Sequence, residues 1–504
     1  MDEAPDSSEA DREVQVKNNP EIKQHECSSW ISNITVEPVM FFYMFAFALT
    51  SVVEQAFYVD KACRVNMNYS DEICSNLHLE ENKEWNKKVQ IIVSNFHQYN
   101  QIATHAVPIV LAFFLGSWSD LRGRKIIILM GLFGKLYFSC MIVVNALQKS
   151  WALEIILPTA CVPSALTGAD LGIFAGVFAY MADITTQKNR TFRVAVLDVV
   201  YLSTLPTGVA LGKYLYASVT GRSFAIMFAI NASMLAVAII FAFWRLEWQS
   251  TSQQQPLLGS GTNCCSDFFD KKHVIDSVKA LCRKRPGYRR TYLIIILLSM
   301  MFYTFQRDEK PLTFLYTQLQ FGWTTEIYSD FKTFQSSAYV IGTLVGVPIM
   351  SRWLKLEDTI IIMVGAAGHG CARFVYAFAK VPWLFYIGAT IAAVGPVVAP
   401  VLRSMISKVV PLAERGKVFA ILAVADNAVP LFSGVLYSQV YNASIDTLPT
   451  AIFWVTFCSQ AIVFLSALFV HFCVRKYPLE ISENEMISEE MSVSSEETDQ
   501  EVKD

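Results

Sequence analysis

The chain has 504 residues, 53% of them hydrophobic and 17% charged, with a formal net charge of −3. So small a charged share excludes an ordinary soluble enzyme, in which it is about 25%. The charges are also segregated, acidic residues in the C-terminal tail and basic ones in internal loops, so no nucleic-acid partner is implied.

Met1 to Glu26 is polar, with no apolar core followed by a cleavage site. No signal peptide is expected, and the first membrane helix is expected to do the targeting. A helix needs about 20 apolar residues to cross a hydrocarbon layer of ~30 Å. Apolar runs of that size lie near 38-59, 96-118, 126-147, 160-182, 194-215, 223-244, 291-319, 328-351, 358-379, 382-404, 417-440 and 450-474. Twelve spans put both termini in the cytoplasm. Loop charge agrees, because Lys and Arg near helix ends are retained inside. Arg122, Arg124 and Lys125, then Lys188, Arg190 and Arg193, then Arg352 and Lys355, all fall in internal connections.

The connection from Glu247 to Arg290 separates 38-244 from 291-474, giving two bundles of six. Around them are a cytoplasmic N-terminal tail (1-37), a cytoplasmic linker (245-290) and an acidic tail (475-504) expected to be disordered. Phe268 to Cys282 has the periodicity of an amphipathic segment lying along the bilayer. In the first external loop an oxidising compartment permits a disulfide between Cys63 and Cys74. Cys264 and Cys265, on the cytoplasmic side, are expected reduced or palmitoylated. Asn68 and Asn442 are glycosylation sequons in external loops, whereas Asn33, Asn189 and Asn231 match the pattern in the cytoplasm or in a helix.

An ionisable residue inside the bilayer is costly and therefore a functional candidate. Glu54, Asp170, Asp183, Asp198, Arg373, Arg403 and Asp426 lie within spans, as do His97, His105 and Lys135. Asp183 can equally form a cytoplasmic salt bridge with Arg190 or Arg193. The seventh span reads either as a short helix followed by an external loop or as one helix interrupted at Arg307-Pro311. The second reading is preferred, because Pro311 to Tyr316 is too apolar for a solvated loop, and it sets Arg307, Asp308, Glu309 and Lys310 on a cavity. No Walker loop, hydrolase or kinase motif and no metal-ligand spacing is present. The chain is therefore expected to be no enzyme and to use no cofactor, a proton gradient being its driving force.

The turn Gly116-Ser-Trp-Ser-Asp120-Leu-Arg122-Gly123-Arg124-Lys125 has the spacing G-x-x-x-D-x-x-G-R-K. It resembles the signature between helices two and three of the major facilitator superfamily. The resemblance implies an all-α polytopic membrane protein with twelve transmembrane helices in two six-helix bundles. It also implies a cytoplasmic gating latch of Gly116, Asp120, Gly123, Arg124 and Lys125 with Asp183, Arg190 and Arg193, in which Asp120 faces a neighbouring helix N-terminus. Gly168-Ala-Asp170, Ala182 to Thr185, Asn189 to Asp198 and Pro400 to Ser404 resemble the solute-carrier 46 group, which includes the proton-coupled folate carriers.

The charges at membrane depth make Glu54, Asp170, Asp198, Arg307, Asp308, Glu309 and Arg403 the candidate substrate and proton cavity, and the second resemblance bears on two of them. Asp198 would match an acidic position tied to proton coupling, and Arg403 a cationic position tied to substrate. The expected activity is proton-coupled uptake of a small organic anion, folate-like, a muropeptide or a cyclic dinucleotide, by alternating access. Its partners would be that anion, protons and the lipid bilayer. The alternatives are an uncoupled facilitative carrier and a receptor or scaffold that does not transport. Gln255-Pro-Leu257-Leu258 resembles a di-leucine sorting signal without its upstream acid, so the plasma membrane is expected and the endosome or lysosome is the alternative.

Overall fold

The computed structural model describes residues 34–185, 187–250, 254, 268, 289–410 and 412–476. The amphipathic linker segment as a whole, Cys264, Cys265, Asn33, the di-leucine and the acidic tail lie outside the described residues. Every regular element that is described is helical.

Among the described residues twelve helical rods follow one another. In the first half they are α1 (Glu37–Lys61), α2 (Lys83–Arg122), α3 (Arg124–Leu147), α4 (ending in Ala169–Asp183), α5 (Gln187–Tyr214) and α6 (Phe224–Arg245). In the second half, α7 runs through Arg289–Thr304 and Glu309–Phe321, α8 is Thr325–Pro348 and α9 is Asp358–Phe378. α10 runs from Trp383–Ile391 to Val398–Val409, α11 is Leu412–Ser444 and α12 is Ala451–Lys476. Among the described residues ten of these rods are long and apolar enough to cross a membrane. The other two are α5, which carries Lys188, Arg190, Arg193 and Asp198, and α7, which is broken. The break is a 3-10 turn over Phe305–Arg307, so the seventh span is one interrupted rod and its charges do not form a loop.

α2 begins earlier than its apolar run. Before Phe96 the helix exposes Glu84 and Lys88 and buries Val89 and Val93 together with Asn86, Gln90 and Ser94. Helical amphipathicity therefore carries α2 out beyond the hydrocarbon.

Lipid tails are as apolar as Leu, so helix association in a bilayer depends on close packing over small residues. Gly212 of α5 lies on α1, where a Cβ would stand 2.1 Å from the Leu49 carbonyl oxygen. Gly342 of α8 lies on α10, where a Cβ would stand 1.9 Å from the Ala393 carbonyl oxygen. α1 to α6 pack as one bundle and α7 to α12 as a second, and the two meet mainly where α2 faces α11 and α5 faces α8.

The end that carries the Cys63–Cys74 disulfide is called outer, because basic loops crowd the opposite end. Polar bonds join the bundles there. Tyr441 Oη donates to Gln90 Oε1 (2.6 Å), Gln439 to Gln98 (2.7 Å) and Asn442 Nδ2 to Asn95 Oδ1 (2.7 Å). Ion pairs Lys213–Asp330 (2.6 Å), Arg222–Glu326 (2.9 Å) and Lys87–Asp446 (3.0 Å) extend the seam. These contacts join the two bundles across the outer end, beside a cavity bordered by Asp60 and Arg64 of the first half and by Phe314 and Glu326 of the second.

Gly342→Ala should lower the unfolding temperature of the detergent-purified protein, at a cost of about 1–3 kcal/mol, because the clash is with backbone and cannot rotate away. Gly346→Ala, whose Cβ would meet only Met350 Cε at 3.7 Å, should leave that temperature unchanged.

Candidate functional site

The turn between α2 and α3 folds onto the end of α6. Gly123 has φ +108°, and a Cβ there would stand 2.1 Å from the Trp248 carbonyl oxygen, so only glycine fits. Lys125 Nζ donates to the carbonyls of Phe243 (2.6 Å) and Leu246 (2.7 Å), the free acceptors at the C-terminus of α6. Arg124 pairs with Asp120 and donates to Asp183 Oδ2 at 3.1 Å and to Ser119 Oγ at 2.6 Å. Ser250 Oγ, where the linker begins, also reaches Asp183 at 2.8 Å.

Asp183 takes Arg124 as its partner, while Arg193 pairs with Glu37 of α1 at 2.9 Å, which corrects the expected pairing of Asp183 with Arg193. Asp120 pairs with Arg124 of its own turn, an i, i+4 contact. The side chain of Arg190 lies outside the described residues, and Gly116 is exposed.

Within the first bundle, Asp170 of α4 is paired with Lys135 of α3 at 3.0 Å and accepts a hydrogen bond from Tyr43 of α1. Glu54 accepts from Tyr58 Oη at 2.5 Å. Tyr43, Glu54 and Lys135 border one small cavity between α1, α3 and α6. Lys135 therefore spends its charge across the bundle and does not snorkel to the interface.

In the second bundle the break in α7 turns consecutive carboxylates in different directions. Asp308 reaches across to the first bundle, accepting from Gln101 Nε2 of α2 at 2.8 Å, and also accepts from Ser433 of α11. Glu309 turns inward to Arg373 of α9 at 3.2 Å, both side chains only 3% exposed, and accepts from Thr456 of α12. Glu309 is thus a core residue of its bundle and not the cavity residue the sequence suggested. Arg373 Nη1 lies 2.9 Å from His369 Nδ1. A guanidinium can only donate, so His369 is neutral and carries its proton on Nε2. Gly395 of α10 makes room for that ring, since a Cβ there would meet His369 Cδ2 at 1.9 Å.

Between the bundles, Arg403 of α10 keeps half of its side chain exposed and stands 3.8 Å from Asp426 of α11. Asp198 of α5 is half-buried and lies in the field of Arg403. Arg307 is exposed at the break in α7 and is an electrostatic neighbour of Asp426. The fold therefore brings Asp198, Arg307, Arg403 and Asp426 together, and leaves Glu54 and Asp170 in a separate network. Nothing in the linear chain ranks Asp426 above the other carboxylates or pairs Arg373 with His369, although an Arg four residues after a His on one helix is a visible i, i+4 pattern. Of the two external sequons, Asn68 is exposed, whereas Asn442 is half-buried with its amide engaged by Asn95.

The family model for the Major Facilitator Superfamily matches residues 100–333. That segment is a little under half of the chain. Among solved structures the D-xylose-proton symporter superimposes with a TM-score of 0.61 at 13% identity, over 86% of this chain and 96% of that one. The human organic anion transporter MFSD10 (TETRAN) gives a TM-score of 0.59 at 14% identity, over 86% and 97%. These likenesses establish the fold alone. In sequence, this chain is 28% identical to the lysosomal proton-coupled steroid conjugate and bile acid symporter of Gallus gallus, over 82% of this chain and 88% of that protein. It is 23% identical to the probable peptidoglycan muropeptide transporter of Drosophila melanogaster (82% and 81%) and 22% identical to the proton-coupled folate transporter of Bos taurus (82% and 86%).

Glu309→Gln should destabilise the protein by about 3–5 kcal/mol, since Arg373 is left as an uncompensated buried charge. The double variant Glu309→Leu with Arg373→Met should recover most of the loss. Unfolding temperatures in detergent check both, and equal losses in the single and double variants would show that the pair carries no such coupling.

Proposed function

We propose that this protein is a carrier of the major facilitator type, a proton-coupled symporter that moves a small organic anion inward by alternating access. The observation that carries the reading is Arg403, a cation between the bundles that is half exposed and held by Asp426 at only 3.8 Å. An incoming anion can take the guanidinium from Asp426 and Asp198. Those carboxylates then lack a counter-charge in a low-dielectric setting, and a proton is the smallest group that can replace it. Anion binding and proton binding thereby favour each other, which is the thermodynamic content of coupling.

The outer seam supports a carrier with two alternative faces, in which the polar contacts of α2 with α11 and of α5 with α8 are made on one side and exchanged for others. The turn around Asp120 and Arg124 sits at the opposite end, where it can hold the cytoplasmic side in the other state. The relatives named above are described as carriers of steroid conjugates, bile acids, muropeptides and folate. All are organic anions, and that supports the substrate class without choosing among them.

Uptake of a panel of labelled folate, bile acid and steroid sulfate into cells expressing the protein, at acidic and neutral outside pH, is the direct test. At least one anion should accumulate faster at acidic pH, and a protonophore should abolish the difference. Arg403→Ala should reduce uptake at least about a hundredfold at unchanged surface abundance, the scale of one lost charged contact of ~2.7 kcal/mol. Asp198→Asn should bind the anion yet lose acid stimulation, because an amide keeps the shape and exchanges no proton. Uptake that ignores the proton gradient would leave an uncoupled carrier.

We place the protein in the plasma membrane, with the endolysosome as the competing compartment because one relative is named as lysosomal. A tagged protein should stay at the cell surface, and Leu257→Ala with Leu258→Ala should not change its distribution. Movement of that variant from vesicles to the surface would instead identify a working sorting signal.

A further inference from the structure

Two lysines near the break in α7 have no role in the arrangement around Arg403. Lys310 opens the outer segment of α7 and is exposed. Its ammonium makes no hydrogen bond or ion pair among the described residues, and the same holds for Arg307 three residues earlier. Lys332 of α8 bonds Gln335 Oε1 at 2.9 Å, a neutral partner.

The charges around them do not balance. Lys310 has Arg307, Arg373, Asp308 and Glu309 as electrostatic neighbours, and Lys332 has Lys310, Arg373 and Glu309. Glu309 is committed to Arg373 and Thr456, and Asp308 to Gln101 and Ser433. Four cations thus face two carboxylates, both already engaged. Lys310 also stands in the first turn of a 13-residue helical segment, where the backbone dipole disfavours a cation and favours an anion. Excess positive charge at membrane depth is costly until an anion enters. Arg307 links this region to the first one, being a neighbour of both Lys310 and Asp426.

We propose that Lys310 and Lys332 form a second anion position, at the outer end of a cationic file that continues through Arg307 to Arg403. It receives a carboxylate, sulfate or phosphate group of the substrate before that group reaches Arg403. The word substrate rests on the transport reading, whereas the anion position rests on the charges alone.

Pyridoxal 5′-phosphate, an aldehyde that bears a phosphate, tests the position directly on the full-length protein in detergent. Borohydride fixes its imine with lysine, and peptide mass spectrometry locates it. Labelling of Lys310 or Lys332 should be faster than with pyridoxal, which lacks the phosphate, by at least about tenfold, as expected where a charged recess concentrates anions. Inorganic sulfate should slow it. Equal labelling by the two aldehydes, no labelling at either lysine, or labelling indifferent to sulfate would each overturn the proposal. Phosphate-dependent labelling without uptake of any anion would remove the transport reading and leave the anion position standing. Anion uptake with phosphate-independent labelling would do the reverse.

Discussion

A charge placed in hydrocarbon must find a partner or face water, and in this chain that requirement decides which helices touch. Lys135 and Asp170 join α3 to α4, with Tyr43 drawing in α1. Arg373 and Glu309 join α9 to the break in α7, with Thr456 drawing in α12. Lys125 ties the start of α3 to the end of α6 through two carbonyls that a helix terminus leaves free. Hydrophobic residues fill the space between these ties, but in lipid they cannot by themselves choose one neighbour over another.

The same rule separates structural charges from functional ones. Glu309 and Arg373 are each 3% exposed and satisfy one another, as a permanent pair must. Arg403 is half exposed with its carboxylate at the long end of an ion-pair distance. Side chains so arranged can exchange partners at little cost, which is what a transport cycle requires and what a core pair cannot do. The outer seam follows a third pattern, with neutral amide and hydroxyl bonds at α2 and α11 flanked by exposed ion pairs. Such contacts are worth little individually in water, so a seam built from them can open.

Much of the architecture was legible in the linear chain. The positions of the spans follow from apolar length, and the interruption of the seventh from an apolar stretch that follows four charges without a loop's composition. The latch turn follows from a glycine and three cations in fixed spacing, and Gly123 does occupy a conformation that a side chain would obstruct. The start of α2 was not legible, because its first turns lie outside the hydrocarbon and obey helical amphipathicity, which apolar length does not register.

What the sequence by itself determined is the class of the molecule, the order of its helical rods, ten of which are long and apolar enough to cross a membrane among the described residues, and the short roster of residues whose charge lies at membrane depth. These depend on local composition and on a bilayer of fixed thickness. What only the tertiary structure decided is how that roster divides. Asp308 and Glu309 are adjacent, yet one faces Gln101 in the opposite bundle and the other faces Arg373 in its own. Asp183 pairs with Arg124 while Arg193 pairs with Glu37, and Lys332 of α8 has Lys310 of α7 as an electrostatic neighbour. Partners in such pairs lie tens to hundreds of residues apart, and which of them meet is set by helix rotation and by the close approach of glycines. Neither is written in any single stretch of the chain.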